Sequence, residues 1–65
     1  MNLTVNGTTR ETPARTVREL VEELNMARPG VAVEVNRQLV PRKLHEQTEL
    51  HEGDAVEVVS LVGGG

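Results

Sequence analysis

The chain has 65 residues, no cysteine, no Phe, Tyr or Trp, and a net charge of −3 from ten acidic and seven basic side chains. A domain of this size buries only about 60% of its unfolded surface, disulfides and thiolate metal sites are ruled out, and the core has to be built from Val, Leu, Met and Ala. An acidic, ring-free surface argues against nucleic acid, which calls for basic patches and stacking platforms; no apolar run approaches the roughly 20 residues of a membrane span, and the opening MNLTVNG carries neither region of a signal peptide, so a cytoplasmic protein, monomeric when free, is expected.

Leu3-Thr4-Val5 alternates apolar with polar and predicts a strand. Asn6-Gly7 follows, a pair in which both residues tolerate the positive φ of a type I′ hairpin turn. Thr8 to Thr12 is then the returning strand. It has no apolar face and predicts a solvated edge. After Pro13, Thr16 and Glu19 form a capping box, each side chain able to satisfy a free backbone N–H. Val17, Leu20, Val21 and Leu24 make one apolar stripe at helical spacing, with Glu19, Glu22 and Glu23 on a solvated face. Pro29-Gly30 is the expected stop.

Val31 to Val35 predicts the clearest strand, with three valines on one face. Asn36-Arg37 reads as a two-residue turn, Gln38-Leu39-Val40 as the return, and Arg42 to Glu46 as a short helical turn after Pro41. Leu50 is an isolated apolar anchor, Glu52-Gly53-Asp54 a turn, and Ala55 to Leu61 the last strand. In that strand Val56 and Val58 are expected to face the core, and Val59 and Leu61 the other side. A single amphipathic helix needs a sheet to cover its stripe. The order strand, strand, helix, strand, strand, strand therefore predicts an α+β fold of the β-grasp, ubiquitin-like kind: a mixed sheet of four to five strands with one main helix. A right-handed crossover through the helix is the expected link between parallel neighbours. Residues 1–62 form one domain and residues 63–65 a flexible tail.

Enzymatic chemistry finds little support. His45 and His51 are six apart, not at helical i, i+4 spacing, and read as surface histidines, so no metal site is expected. Ser60 lacks the glycine-rich elbow of a hydrolase nucleophile. Pairs such as Glu22/Glu23 and Glu34/Glu57 arise by chance in an acidic chain. Gly7, Gly30 and Gly53 stand singly, so no phosphate-cradling loop is present. No catalytic residue is assigned.

The ending Leu61-Val62-Gly63-Gly64-Gly65 is different. Four residues from Val62 reach at most about 13–14 Å. Gly63 to Gly65 offer a thin strip, ending in a carboxylate, that can thread a channel too narrow for a Cβ or be gripped by strand-like hydrogen bonds. A frayed terminus is the alternative reading of the glycines alone.

MNLTVNG, VAVEVNRQLVPR, HEGDAVEVVSLV and the closing GGG together make the chain resemble, over essentially its whole length, the ThiS family of sulfur carriers in thiamine biosynthesis. Arg37 is a departure, standing where that family commonly has Gly after Asn36. The resemblance implies a carrier rather than an enzyme, with no bound cofactor. An E1-like adenylyltransferase (ThiF type) uses ATP to turn the Gly65 carboxylate into a glycyl adenylate. A sulfur donor such as a cysteine desulfurase supplies the sulfur of the 1-thioglycine that follows, and a thiazole synthase (ThiG type) receives it. Leu61, Val62, Gly63 and Gly64 seat the tail in the partners, and an apolar patch on the open sheet face docks them. A sulfur carrier of another pathway, such as a molybdopterin synthase small subunit or a cysteine-synthesis carrier, shares this chemistry and is the alternative reading. A β-grasp interaction module with an inert tail is the reading from another class.

Overall fold

The computed structural model describes residues 1–61. Its elements are β1 (Asn2–Val5), β2 (Thr8–Glu11), α1 (Val17–Glu23), β3 (Val31–Val35), β4 (Gln38–Val40), a 3₁₀ turn (Arg42–Leu44) and β5 (Ala55–Ser60). The five strands form one mixed sheet in the order β2-β1-β5-β3-β4. β1 and β5 are the parallel pair, Thr4 lying opposite Ala55 and Val5 opposite Val56. β2 pairs antiparallel with β1, and β3 antiparallel with both β4 and β5. This is the expected β-grasp architecture with one difference: the helix joins β2 to β3, which are not neighbours, rather than the two parallel strands that meet in the middle. Those two strands are the chain's outermost segments, so the sheet closes only when its ends come together.

The first hairpin turns on Asn6 (φ 50°) and Gly7 (φ 82°), both in the left-handed region that a type I′ turn demands. The Asn6 side chain then crosses to β5, where its Oδ1 accepts from the Val58 N–H at 2.8 Å and its Nδ2 donates to the Val58 carbonyl at 3.1 Å. The turn residue thus ties the hairpin to the central strand. Asn36 (φ 50°) and Arg37 (φ 71°) make the second such turn, and Asn36 likewise receives the Ala55 N–H at 3.0 Å.

The capping box forms as expected: the Glu19 N–H donates to Thr16 Oγ1 at 3.2 Å, and Glu19 Oε1 accepts from the Arg15 N–H at 2.6 Å. The helix ends earlier than Pro29-Gly30. Asn25 takes a left-handed conformation (φ 60°), its N–H donating to the Glu22 carbonyl, while Met26 N–H donates to the Val21 carbonyl at 2.7 Å. Those two bonds are a Schellman closure, for which Asn is the usual substitute for Gly. A local asparagine therefore stops the helix four residues before the Pro-Gly pair can.

α1 lays Val17, Leu20 and Val21 on one sheet face, against Leu3, Val5, Val33, Val56 and Val58, with Ala14 and Leu50 closing the sides. Val31 and Val35 pack partly buried against this core. The valine face of β3, the inward Val56 and Val58, and the Leu50 anchor all stand as expected. β2 is a solvated edge in Thr8, Thr9 and Glu11 but not in Thr12, which lies just past the strand and is 1% exposed. Among the described residues no helix is long and apolar enough to cross a membrane.

Candidate functional site: the tail root and the open sheet face

β5 is the middle strand, and its C-terminal end delivers the chain to Leu61. Ser60 lies opposite Val31, and the Leu61 N–H donates to the Gly30 carbonyl at 2.5 Å. The root of the tail is thus hydrogen-bonded into the sheet up to Leu61, whose side chain is 71% exposed. Val62, Gly63, Gly64 and Gly65 lie outside the described residues.

Because the helix takes one face, the other stays open. Alternation from the buried Val56 and Val58 puts Ala55, Glu57 and Val59 on that open face, and the register adds Thr4, Ala32, Glu34 and Leu39. Leu39, Val59 and Leu61 are its exposed large apolar side chains. Val59 and Leu61 were legible from alternation along the last strand. Leu39 was not singled out, although its place between Gln38 and a half-buried Val40 carries the same period-2 signal.

Glu34 and Glu57 are brought directly opposite each other on this face. Like charges in that position repel, and no counter-ion to either is found among the described residues. The pair read as chance proximity in the sequence is a cross-strand contact. Glu22 and Glu23, in contrast, point apart. Glu22 pairs with Arg18 at 3.0 Å. Glu23 is not on a solvated face: Oε2 accepts from Arg10 Nε at 2.6 Å and Oε1 from Thr12 Oγ1 at 2.5 Å. Those hydrogen bonds, Thr12 first and Arg10 second, hold the Glu23 carboxyl below the ordinary glutamate value of 4.5, against the opposing effect of burial. The cause is register. Arg10 lies opposite Leu3, on the helix-facing side of β2, and so reaches under α1.

His45 also departs from expectation. It is 6% exposed, with Nε2 3.1 Å from the Val40 carbonyl, and its own carbonyl accepts the Arg18 N–H. It plugs the junction between α1 and the segment after β4. His51 stays exposed, its side chain 3.9 Å from Asp54. The two histidines serve different places, and among the described residues no group of three His, Asp or Glu side chains gathers as metal ligands would. Ser60 sits on β5 opposite Val31.

The open sheet face carries the exposed Leu39 and Val59 around the Glu34/Glu57 pair, and the end of β5 is hydrogen-bonded into the sheet as far as Leu61. Comparison with known proteins shows the family. The ThiS family model matches residues 3–65. The sulfur carrier protein ThiS of Escherichia coli (strain K12) is 35% identical over 51 residues, covering 78% of this chain and 77% of that protein. A thiazole synthase of Paramagnetospirillum magneticum is 39% identical over 66 residues, covering all of this chain, which spans only 20% of that protein's length. The crystal structure of the thiamine biosynthesis protein ThiS from Geobacter metallireducens superposes with a TM-score of 0.83 at 38% identity, over 100% of both chains. The chain belongs to the ThiS family.

Proposed function

We propose that this protein is the sulfur carrier of thiazole formation in thiamine biosynthesis, and that its reactive group is the carboxylate of Gly65. The observation that carries the reading is the tail: a central strand, held to the sheet as far as Leu61, is followed in sequence by Val62-Gly63-Gly64-Gly65, in a chain of the ThiS family. The relatives named as sulfur carriers support a carrier rather than a catalyst. The thiazole synthase that contains a segment matching the whole of this chain supports thiazole synthase as the recipient.

The chemistry follows from the weakness of a carboxylate as an electrophile. A Gly65 carboxylate oxygen attacks the α-phosphorus of ATP in an E1-like adenylyltransferase, and pyrophosphate leaves. The glycyl adenylate now has AMP as a good leaving group. Sulfide attacks the acyl carbon and AMP departs, leaving 1-thioglycine. Where a cysteine desulfurase is the donor, the outer sulfur of its persulfide attacks and AMP departs; a thiol then reduces the resulting acyl disulfide, releasing the thiocarboxylate and keeping the donor's own cysteine sulfur as a disulfide. That thiocarboxylate gives a cysteine-free chain a nucleophilic sulfur. After transfer to the thiazole synthase the carboxylate returns. ATP is the partner's substrate, and the carrier itself needs no cofactor.

Gly63 and Gly64 suit a channel without room for side chains. Leu61 and Val62 seat the tail, and the patch around Leu39 and Val59 docks the partners. The test is intact-mass spectrometry after incubation with ATP, the adenylyltransferase and a sulfide source. A gain equal to exchanging one oxygen for one sulfur, absent when Gly65 is deleted, is expected. No gain with active partner enzymes would return the chain to an interaction module with an inert tail.

A further inference from the structure

The protein is acidic overall, yet one groove on it is basic. The groove, about 560 Å³, lies between the segment that follows α1 and the 3₁₀ segment after β4. Arg18, Arg28, Arg42 and Lys43 line it, four of the chain's seven cationic side chains, with Glu46 the one carboxylate among them. Arg18 is committed to Glu22 at 3.0 Å and lies 3.9 Å from Glu46. Arg28, Arg42 and Lys43 have no carboxylate within ion-pairing distance among the described residues, and all three are exposed. Beneath them the lining is apolar, from Val21, Met26 and Val31.

The groove's position is as informative as its charge. Val33 pairs with Val40, so the end of β4 and the start of β3 lie at one end of the sheet. Val31 pairs with Ser60, so the end of β5 lies there too. Gly30, which holds the Leu61 N–H, sits between groove-lining Arg28 and Val31. The groove therefore opens beside the root of the tail, on the helix side of the sheet, while Leu39 and Val59 occupy the other side.

We propose that this groove is a second docking site, which takes an acidic segment, with an apolar side chain in it, from a protein that handles the tail. Uncompensated cations over an apolar floor match such a segment. Its place beside Leu61 puts it within reach of a protein that takes the tail. Attraction between unlike charges would also steer encounter toward the tail end of an otherwise acidic carrier. The inference rests on the carrier reading above, because that reading supplies the proteins that take the tail.

The test compares R42E/K43E with R15E/R37E, a pair that makes the same change in net charge outside the groove. Both are first shown to keep wild-type urea unfolding, and R42Q/K43Q stands in if the reversal does not. Affinities of the full chain for the adenylyltransferase and thiazole synthase of the same organism are measured at low and high salt. With at least one enzyme, R42E/K43E is expected to weaken binding about tenfold or more and to flatten its salt dependence, with R15E/R37E inside about threefold. Equal losses from both pairs, or none from R42E/K43E with either enzyme, overturn the groove. So does an oligonucleotide that competes for it more strongly than either enzyme binds. Sulfur loading of the wild-type carrier is scored separately by mass. Loading with an unaffected R42E/K43E sinks the groove alone, whereas no loading sinks the carrier reading.

Discussion

Thr12 is the residue whose removal the structure makes most consequential for its size. It is 1% exposed. Its hydroxyl donates to Glu23 Oε1 at 2.5 Å and accepts from the Ala14 N–H at 3.0 Å, tying the end of β2 to the last turn of α1. Thr12→Val keeps the shape and deletes both bonds. The Ala14 N–H, in a residue 4% exposed, loses its acceptor, at a cost of about 1–3 kcal/mol, and the bond to an ionised carboxylate is worth about 1.5–3 kcal/mol. Glu23 keeps Arg10, and its side chain is 25% exposed, so water recovers part of the second loss. A net destabilisation of about 2–4 kcal/mol is expected. A domain of this size has about 3–10 kcal/mol in total, so the variant stands near the edge of folding. Thr12→Ser retains the hydroxyl, loses one methyl, and is expected to cost only about 1 kcal/mol. Urea unfolding of the three proteins at neutral pH measures both numbers. The same titrations in acid add a signed check. Because the folded Glu23 pKa is lowered, its contribution is full above the unfolded value and is lost as pH falls through the folded one. The gap between wild type and Thr12→Val should therefore narrow in acid. A Thr12→Val cost below about 0.5 kcal/mol, the ordinary scatter of surface changes, would refute this account, as would a Thr12→Ser cost equal to it.

Arg37 holds φ 71° without a glycine's freedom, so Arg37→Gly should stabilise. Relief of about 1–3 kcal/mol of strain exceeds the 0.5–1 kcal/mol of added chain entropy, and a melting temperature that fails to rise would count against the strain. Glu57→Lys turns the repulsion across from Glu34 into attraction and should add about 0.5 kcal/mol, measured in low-salt urea titrations and erased by high salt. Val59→Asp, on the open face at 47% exposure, should cost about 1 kcal/mol in unfolding and weaken binding of the still-folded chain to the adenylyltransferase about tenfold or more. Unaltered affinity would remove the open face from docking. Gly65→Ala adds one methyl to the end proposed to carry the sulfur and should block or greatly slow sulfur loading, and normal turnover by mass spectrometry would sink the threading of a narrow channel.

Much was legible in the sequence because it depends on neighbours along the chain. The I′ turn at Asn6-Gly7, the two-residue turn opened by Asn36, the Thr16/Glu19 box, the stripe of Val17, Leu20 and Val21, and the inward Val56 and Val58 all follow from dihedral preference and periodicity. The helix end was misplaced because Pro29-Gly30 is the louder signal, yet Asn25 comes first and needs only local hydrogen bonds. Other features depended on which strand lies beside which. Glu23 and His45 look like solvent residues in one dimension. They are drawn inward because β2 register turns Arg10 beneath α1, and because the segment after β4 folds back against the helix. Glu34 and Glu57 are 23 positions apart in number and adjacent only across the β3–β5 ladder. Arg28 and Arg42 likewise share a groove only because β3 begins where β4 ends. Local preference determined the elements; tertiary structure decided which charges meet, since side chains distant in sequence interact only when register places them within a few ångströms of each other.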